Sequence, residues 1–417
     1  MKKETFDIVV AGGGSAGVAA ALAASRTGAR VLLIERNHSF GGQATNSWVS
    51  SYCGFYSKGK KPDQIVFGVG EEVLAGLRRY GQSTEPTINP STGNASIRFH
   101  PGVLKVVLDD LLTASSVDFR LGTSLIGAQR DETGCIASIT IQDDEETEVI
   151  EAKAFVDATG NANLVHLAGI ATDWGDENGE VQQASLACLV NQIPRREFPV
   201  EEMEAAVHQA QAAGIEGLNV DRGLIIKVPS DSYGYLTMPS LVPSNFGSRE
   251  LTRVVMELRR KAMAYTKGLK TYDPDLKEME LIDTASVLGY REGRRLRGIK
   301  TITAQDAAEC RKDPHTIGRA GWPIELHSGN GLSFRQIKEN DWFDIPAEAL
   351  MSNECSNLFA AGRLVSSDHT AMASLRVMGT SFASGQGAGV LASEYAKHHS
   401  IDIDTVQTVL KGQNVLL

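Results

Sequence analysis

The apolar positions near the start of the chain fall into two short runs on either side of a long one. Residues 6–11 are apolar and rich in β-branched side chains, the pattern of a strand buried on both faces. Residues 16–27 are alanine-rich and helical, and Gly28 can stop the helix. Residues 30–34 are a second buried strand, which ends on Glu35. Between the first strand and the helix stand Gly12, Gly14 and Gly17 with G-x-G-x-x-G spacing. The order strand, glycines, helix, strand, acid is that of a dinucleotide-binding unit.

Each part has a physical task. Gly12 allows the tight turn out of the strand, and Gly14, lacking a Cβ, lets backbone approach a pyrophosphate. Gly17 lets the helix pack close to the strand. Free amides of the first helical turn and the helix dipole then hold phosphate. Glu35, 18 residues after Gly17, can accept hydrogen bonds from an adenosine ribose and argues against a 2′-phosphate.

The remaining pattern places the other elements. After Arg36 comes a second glycine turn, Gly41-Gly42-Gln43-Ala44, then a long irregular polar and aromatic stretch of the kind that carries function. Residues 68–80 and the run from Pro101 are amphipathic helices, separated by a polar loop with Pro86, Pro90 and Gly93. Residues 117–151 alternate, with turns at 131–134 and 143–146, which predicts a β-meander. Residues 154–160 are another buried strand ending on glycine, and a helix begins within 161–168. From Thr172 the texture changes: SLACLVNQI, GLIIKVPS and YGYLTMPSL predict longer antiparallel strands, with amphipathic helices at 201–213 and 249–269. Residues 357–363 return to strand-then-glycine. After a polar loop, 379–397 is a small-residue helix, followed by a short tail from Ile401. Strand–glycine units at the beginning, middle and end imply one discontinuous nucleotide domain, 1–171 with 346–417, into which 172–345 is inserted.

Composition narrows the function classes. With 417 residues the chain can hold two domains, and its formal charge of −10 argues against nucleic acid and against anionic membrane as partners. Cys53, Cys135, Cys188, Cys310 and Cys355 are scattered with no C-x-x-C. That excludes a disulfide framework, a zinc site and a cysteine-ligated cluster, leaves no metal expected, and fits a reducing, cytoplasmic compartment. Met1-Lys2-Lys3 before an apolar run resembles a signal peptide, but Glu4 and Asp7 interrupt it, so the expectation is mature protein. No other stretch reaches membrane-spanning length without charges.

At this point the chain resembles the FAD-dependent oxidoreductases of the glutathione-reductase-like two-domain fold. The resemblance rests on Gly12, Gly14, Gly17 and Glu35, the Gly41-Gly42 turn, Asp157-Ala158-Thr159-Gly160, the REGRRLRG run from Arg291, the WPIELH run from Trp322, and residues 357–389. It implies an α/β fold: a Rossmann-like FAD-binding domain (parallel sheet plus β-meander) with an inserted α+β antiparallel-sheet substrate domain. It implies FAD as cofactor, with Gly12, Gly14, Ser15, Ala16 and Gly17 along the pyrophosphate, Glu35 on the ribose and Arg36 on the adenine side. Gly42, Gln43 and Ala44 would pass near the flavin end, and Leu125 would lend backbone to adenine. Thr159 and Gly160 would touch the middle of FAD, and Gly362 and Arg363 would sit over the pyrophosphate. Gly379, Thr380 and Ser381 would open the last helix under the flavin pyrimidine ring, where its dipole favours the reduced, anionic state. Gly293 departs from the group, which often has serine there.

The remaining candidate chemistry lies in a few side chains. Arg376 matches by position the carboxylate-holding arginine of fumarate-reductase-like flavoproteins; the bland alternative is pairing with Asp368 or capping a carbonyl. His369 is a candidate general acid or base, and His327, before a Ser-Gly-Asn-Gly loop, another. His100 reads as structural. The arginines 291, 294, 295 and 297 read as ion-paired with acids such as Glu292, with Arg291 left open as an anion ligand. Cys53, with no second cysteine near in sequence, gives no support for a dithiol relay. The leading function is hydride transfer between flavin N5 and a small organic, possibly carboxylate-bearing, substrate, with a further electron acceptor. The alternatives are a flavin monooxygenase, whose usual Gly-Asp motif is replaced by Ala361-Gly362-Arg363, and a non-catalytic FAD-binding protein.

Overall fold

A computed structural model describes residues 2–89, 92–228, 230–329 and 331–417. Met1, Pro90, Ser91, Pro229 and Asn330, which belong to the basic N-terminus, the polar loop, the GLIIKVPS segment and the loop after His327, lie outside the described residues.

The strand Lys2–Ala11 is central to a seven-stranded sheet. Val31–Ile34 pairs parallel on one side of it, with Asp118–Arg120 parallel beyond; Thr147–Asp157 pairs parallel on the other. Leu358–Ala360 then adds parallel to the end of Thr147–Asp157, matching Phe359 with Val156. All four residues of Val31–Ile34 are buried, as a parallel sheet covered on both faces requires. Their side chains alternate between two cores. Ile8, Val10, Val31 and Leu33 face the helices Ser15–Ser25 and Met378–His398. Val9, Ala11, Leu32 and Ile34 face the meander and the short helix Asn163–Leu167.

The two long helices on the first face touch backbone to backbone. A Cβ on Gly385 would stand 2.2 Å from Ala16 O, and one on Gly389 2.2 Å from Ala20 O. These glycines are four apart, so they share one helix face, and the small-residue pattern of both helices is what lets them approach. Gly17 likewise has no room for a Cβ, which would lie 1.7 Å from Gly12 O.

Several predicted bounds need correction. The first strand starts at Lys2, because its polar beginning pairs with Glu148–Glu151 of the long strand. The predicted meander strand and the following buried strand are one element, Thr147–Asp157. Its first half pairs antiparallel with Ile136–Gln142, and its last residues pair parallel with Leu358–Ala360. Asp118–Arg120 does not belong to the meander but is the parallel edge strand; only Ser124–Arg130, Ile136–Gln142 and Thr147–Asp157 form it. The polar loop holds Thr87–Ile88 and Ala95–Arg98, and the irregular stretch after Gly42 holds Ser51–Cys53; the three pair antiparallel.

In 172–345 the strands are short rather than long. Cys188–Asn191 lies between Tyr233–Leu236 and Glu280–Thr284, with a register shift at Leu189/Val190. The helices Val200–Ala212 and Ser248–Tyr272 pack against this sheet through Met203, Val207, Tyr265 and Leu269. The predicted loop before the last long helix contains the helix His369–Leu375, whose cap Asp368 accepts Ala371 N–H at 2.6 Å. The tail from Ile401 contains the helix Ile403–Gly412, capped by Asp402. No described helix is long and apolar enough to cross a membrane.

Candidate active site and cofactor cleft

The glycine turn, the second glycine turn and the start of the last long helix converge. Gly12 holds φ +101°, and Gly41 and Gly42 hold +102° and +57°, which only glycine adopts without strain. At Gly14 the nearest atom to a built Cβ is Gly42 Cα, 3.9 Å away, so the two glycine turns meet there in ordinary contact. Glu35 is fixed at the end of its strand: its carboxylate accepts Gly13 N–H at 2.7 Å and Asn37 N–H at 2.9 Å. Arg36 beside it is exposed. Leu125 lies in Ser124–Arg130, two residues after Thr123, whose N–H binds the Glu35 carbonyl at 3.0 Å. Ser15 and Ala16 open the first helix, buried. Gln43 donates to the Tyr290 carbonyl at 2.6 Å, which ties the second glycine turn to the 172–345 block, and Ala44 is buried.

Across the turn, Thr159 donates to Asp157 at 2.7 Å and accepts from Asn163 N–H at 2.8 Å. Gly160, at φ +77°, faces the Arg363 guanidinium; a Cβ there would come within 2.8 Å of it. Arg363 donates to Asn161 Oδ1 at 2.7 Å, but its buried Nε has no partner. Burial pushes this guanidinium down to about 10. Gly362 N–H binds Ser384 Oγ at 3.0 Å, and its Cα faces Ala16.

The last helix begins at Met378, one residue before the predicted Gly379, with Val377 as cap. Gly379 packs against Cys53 and Gly54, and Ser381 donates to the Val377 carbonyl. Thr380 Oγ1 is buried with no partner. Two glycine turns in contact, a fixed acid at the strand end, and orphaned buried atoms on Arg363 and Thr380 suit an extended dinucleotide along this line.

Arg376 lies at the end of His369–Leu375, just before that helix start. It donates to the Glu325 carbonyl at 3.0 Å, and its Nε is buried without a partner. Asp368 is occupied as a helix cap and by Ala304 N–H, so it does not pair with Arg376. His327 lies in the strand Ile324–Ser328, where its Nε2 is 2.8 Å from Glu325 Oε1. Trp322 Nε1–H donates to the other oxygen at 2.9 Å. Burial raises the Glu325 carboxyl, but the His327 bond, the Arg376 charge and the Trp322 bond outweigh it and hold it at about 2. Burial, with Arg291 nearby, takes the His327 imidazole down to about 4. Cys53 faces the same cluster, where burial and Glu325 push its thiol up to about 12, away from thiolate chemistry. His369 goes elsewhere: its Nδ1 is 3.0 Å from Glu292, which also pairs with Arg295.

The arginine run divides between two roles. Arg295 pairs with Glu292, and Arg297 with Asp173 at 2.8 Å. Arg294 binds Asn161 and Asn163, and Arg291 binds the Gln183 carbonyl and Ser185 Oγ. Burial, with Arg376 nearby, lowers Arg291 to about 9, so its charge belongs to the Arg376 cluster. Gly293 has a local reason: a Cβ would lie 2.6 Å from Asn161 Oδ1, the atom that holds Arg363. His100 binds Tyr233 at 2.8 Å and lies 3.5 Å from Asp231, joining the two blocks.

Glu325, Asn161 and Tyr290 were not singled out from sequence, whereas Glu292 was named as an ion-pair partner of the arginine run and pairs with Arg295. Glu325 left a signal: two residues before His327 in a strand, it shares that face. Asn161 and Tyr290 left none, since their partners lie about 130 to 250 residues away along the chain.

The family model for FAD dependent oxidoreductases matches residues 7–410. A vinyl phenol reductase from Lactiplantibacillus plantarum is 28% identical over 189 residues, which is 38% of this chain and 38% of that protein. The likeness therefore spans well under half of that relative's length. A solved geranylgeranyl bacteriochlorophyll reductase-like protein from Thermoplasma acidophilum, 15% identical, covers 98% of this chain and 83% of its own at TM-score 0.51, and shares the fold. A flavoprotein/dehydrogenase from Cytophaga hutchinsonii, also 15% identical, covers 99% and 84% at TM-score 0.49.

Proposed function

From the premise that the chain belongs to the FAD dependent oxidoreductase family and uses FAD, we propose that it transfers hydride between flavin N5 and a small carboxylate-bearing substrate. The observation that carries this reading is Arg376, a half-buried arginine whose buried Nε has no partner, just before the last long helix. FAD supplies the two-electron chemistry when bound. Glu35, the Gly12–Gly17 turn, Thr159, Gly160, Gly362 and Arg363 hold it; Arg376 binds and orients the substrate anion. His327, neutral and beside Arg376, moves the accompanying proton at Nδ1, where no described residue bonds it. His369 is the second candidate for that step through Nε2, since Glu292 holds Nδ1. The block 172–345 is the substrate domain, joined to the rest by Gln43–Tyr290 and His100–Tyr233. With Nδ1 bare, His327 fits the oxidative direction, in which the substrate loses a proton to it.

The test is a screen of small carboxylates and their neutral analogues for bleaching of the bound flavin, and for reoxidation of the photoreduced flavin. Carboxylates are expected to react and their amides not to. Equal reaction of both, or incorporation of oxygen into the product, would overturn the reading.

A further inference from the structure

Glu325 is a single residue to which two candidate groups and an indole are attached. Its carboxylate receives Trp322 Nε1–H at 2.9 Å on one oxygen and faces His327 Nε2 at 2.8 Å on the other. Its carbonyl receives the Arg376 guanidinium at 3.0 Å. The indole can only donate, so it fills its oxygen in one sense. An ionised carboxylate only accepts, so the nitrogen facing it must carry the hydrogen. With His327 neutral, one nitrogen carries a proton and the other a lone pair. Glu325 thereby decides which.

We infer that Glu325 is a positioning residue: it fixes His327 as the Nε2–H tautomer and leaves Nδ1 as the proton-accepting atom of the cleft. The inference rests on the reading of His327 as the proton-transfer group. The charged groups that face the imidazole are known from each element packed on it. Glu325 comes from its own strand, Arg291 from the segment after Gly289–Tyr290, and Arg376 from the end of His369–Leu375. Arg291 and Arg376 oppose a second proton on the ring, and the Glu325 carboxylate lies at Nε2. Because Arg376 is held by the carbonyl, a change of the Glu325 side chain leaves that bond in place.

That separation supplies the experiment. Glu325→Gln keeps the size but offers one acceptor for two donors and an amide that donates. Glu325→Asp keeps the charge on a shorter stem. The FAD-loaded protein is labelled with nitrogen-15 histidine, and His327→Asn identifies the resonances. Wild type is expected to show protonated Nε2 and bare Nδ1 at neutral pH, Glu325→Gln to lose that pattern, and Glu325→Asp to keep most of it. With a reactive carboxylate from the screen, Glu325→Gln should lower kcat by roughly tenfold or more with KM nearly unchanged. An Nδ1–H tautomer in wild type, or an unchanged tautomer in Glu325→Gln, overturns the inference. A lost tautomer with an unchanged rate supports the positioning and instead removes His327 from the proton step.

Discussion

At the residue scale, half-buried Arg376 carries a buried, unfilled donor at Nε, and its replacement separates binding from folding. Arg376→Ala should keep FAD, which is held by Glu35 and the glycine turns. It should weaken substrate binding by ~2–5 kcal/mol, the cost of leaving the partner charge buried alone. Arg376→Lys should restore only part, since a point charge cannot reproduce a two-pronged contact. Flavin-reduction kinetics of the three proteins check this, and unchanged affinity in Arg376→Ala would sink the role. The Glu325–His327 pair predicts a pH dependence of stability. His327 resists protonation in the folded state down to about 4, whereas an unfolded imidazole takes its proton near 6.5. The unfolded state therefore binds more protons in that window, and stability falls as pH drops through it. Glu325, held at about 2 against an ordinary 4.5, extends the loss at lower pH, because its stabilisation disappears as pH falls toward the folded value. Melting temperatures from pH 7 to 4.5 should fall for wild type and fall less for His327→Gln.

At the element scale, the packing of Ser15–Ser25 on Met378–His398 depends on the absence of side chains. Gly385→Ala would place a Cβ 2.2 Å from Ala16 O and should destabilise by roughly 1–3 kcal/mol or more. Gly102→Ala, in a helix where nothing lies within 4 Å of the built Cβ, should stabilise by up to ~1 kcal/mol, the ordinary helix effect. Thermal melts of both variants read the opposite signs. The same contrast explains what the sequence made legible. The buried strands were plain because apolar runs such as Val31–Ile34 are fully covered. Asp118–Arg120 was not, because at the sheet edge it exposes Phe119 and ties Arg120 to Glu4 and Glu148, which erases any apolar signature. His369–Leu375 was hidden by its length, and the short strands of 172–345 by a register shift. The glycine turns could be placed residue by residue because positive φ leaves a compositional mark. Of the Glu325 hub only the spacing to His327 was legible, because the bonds to Trp322 and Arg376 leave no compositional mark.

At the scale of the whole molecule, the cofactor line draws on residues near both ends of the chain, so cofactor and fold should report on each other. The purified protein should be yellow and release FAD on heating, and excess FAD should raise its melting temperature. Gly14→Val should empty the cleft, since its branched side chain would stand at the turn where backbone must approach the pyrophosphate. Absorbance of the purified variant at flavin wavelengths checks this, and a fully loaded Gly14→Val protein would contradict the assigned path. The late strand Leu358–Ala360 and the helix after it have a consequence in time. During synthesis the early βαβ unit emerges long before the segments that cover it. Until residue 360 has left the ribosome, the edge at Phe155–Asp157 stays open, and until the helix follows, Ala16 and Ala20 stay bare. Stable cofactor capture thus waits until Leu358–Ala360 and Met378–His398 have been made. A stalled nascent chain ending at residue 345 should fail to retain flavin, however complete its glycine motif.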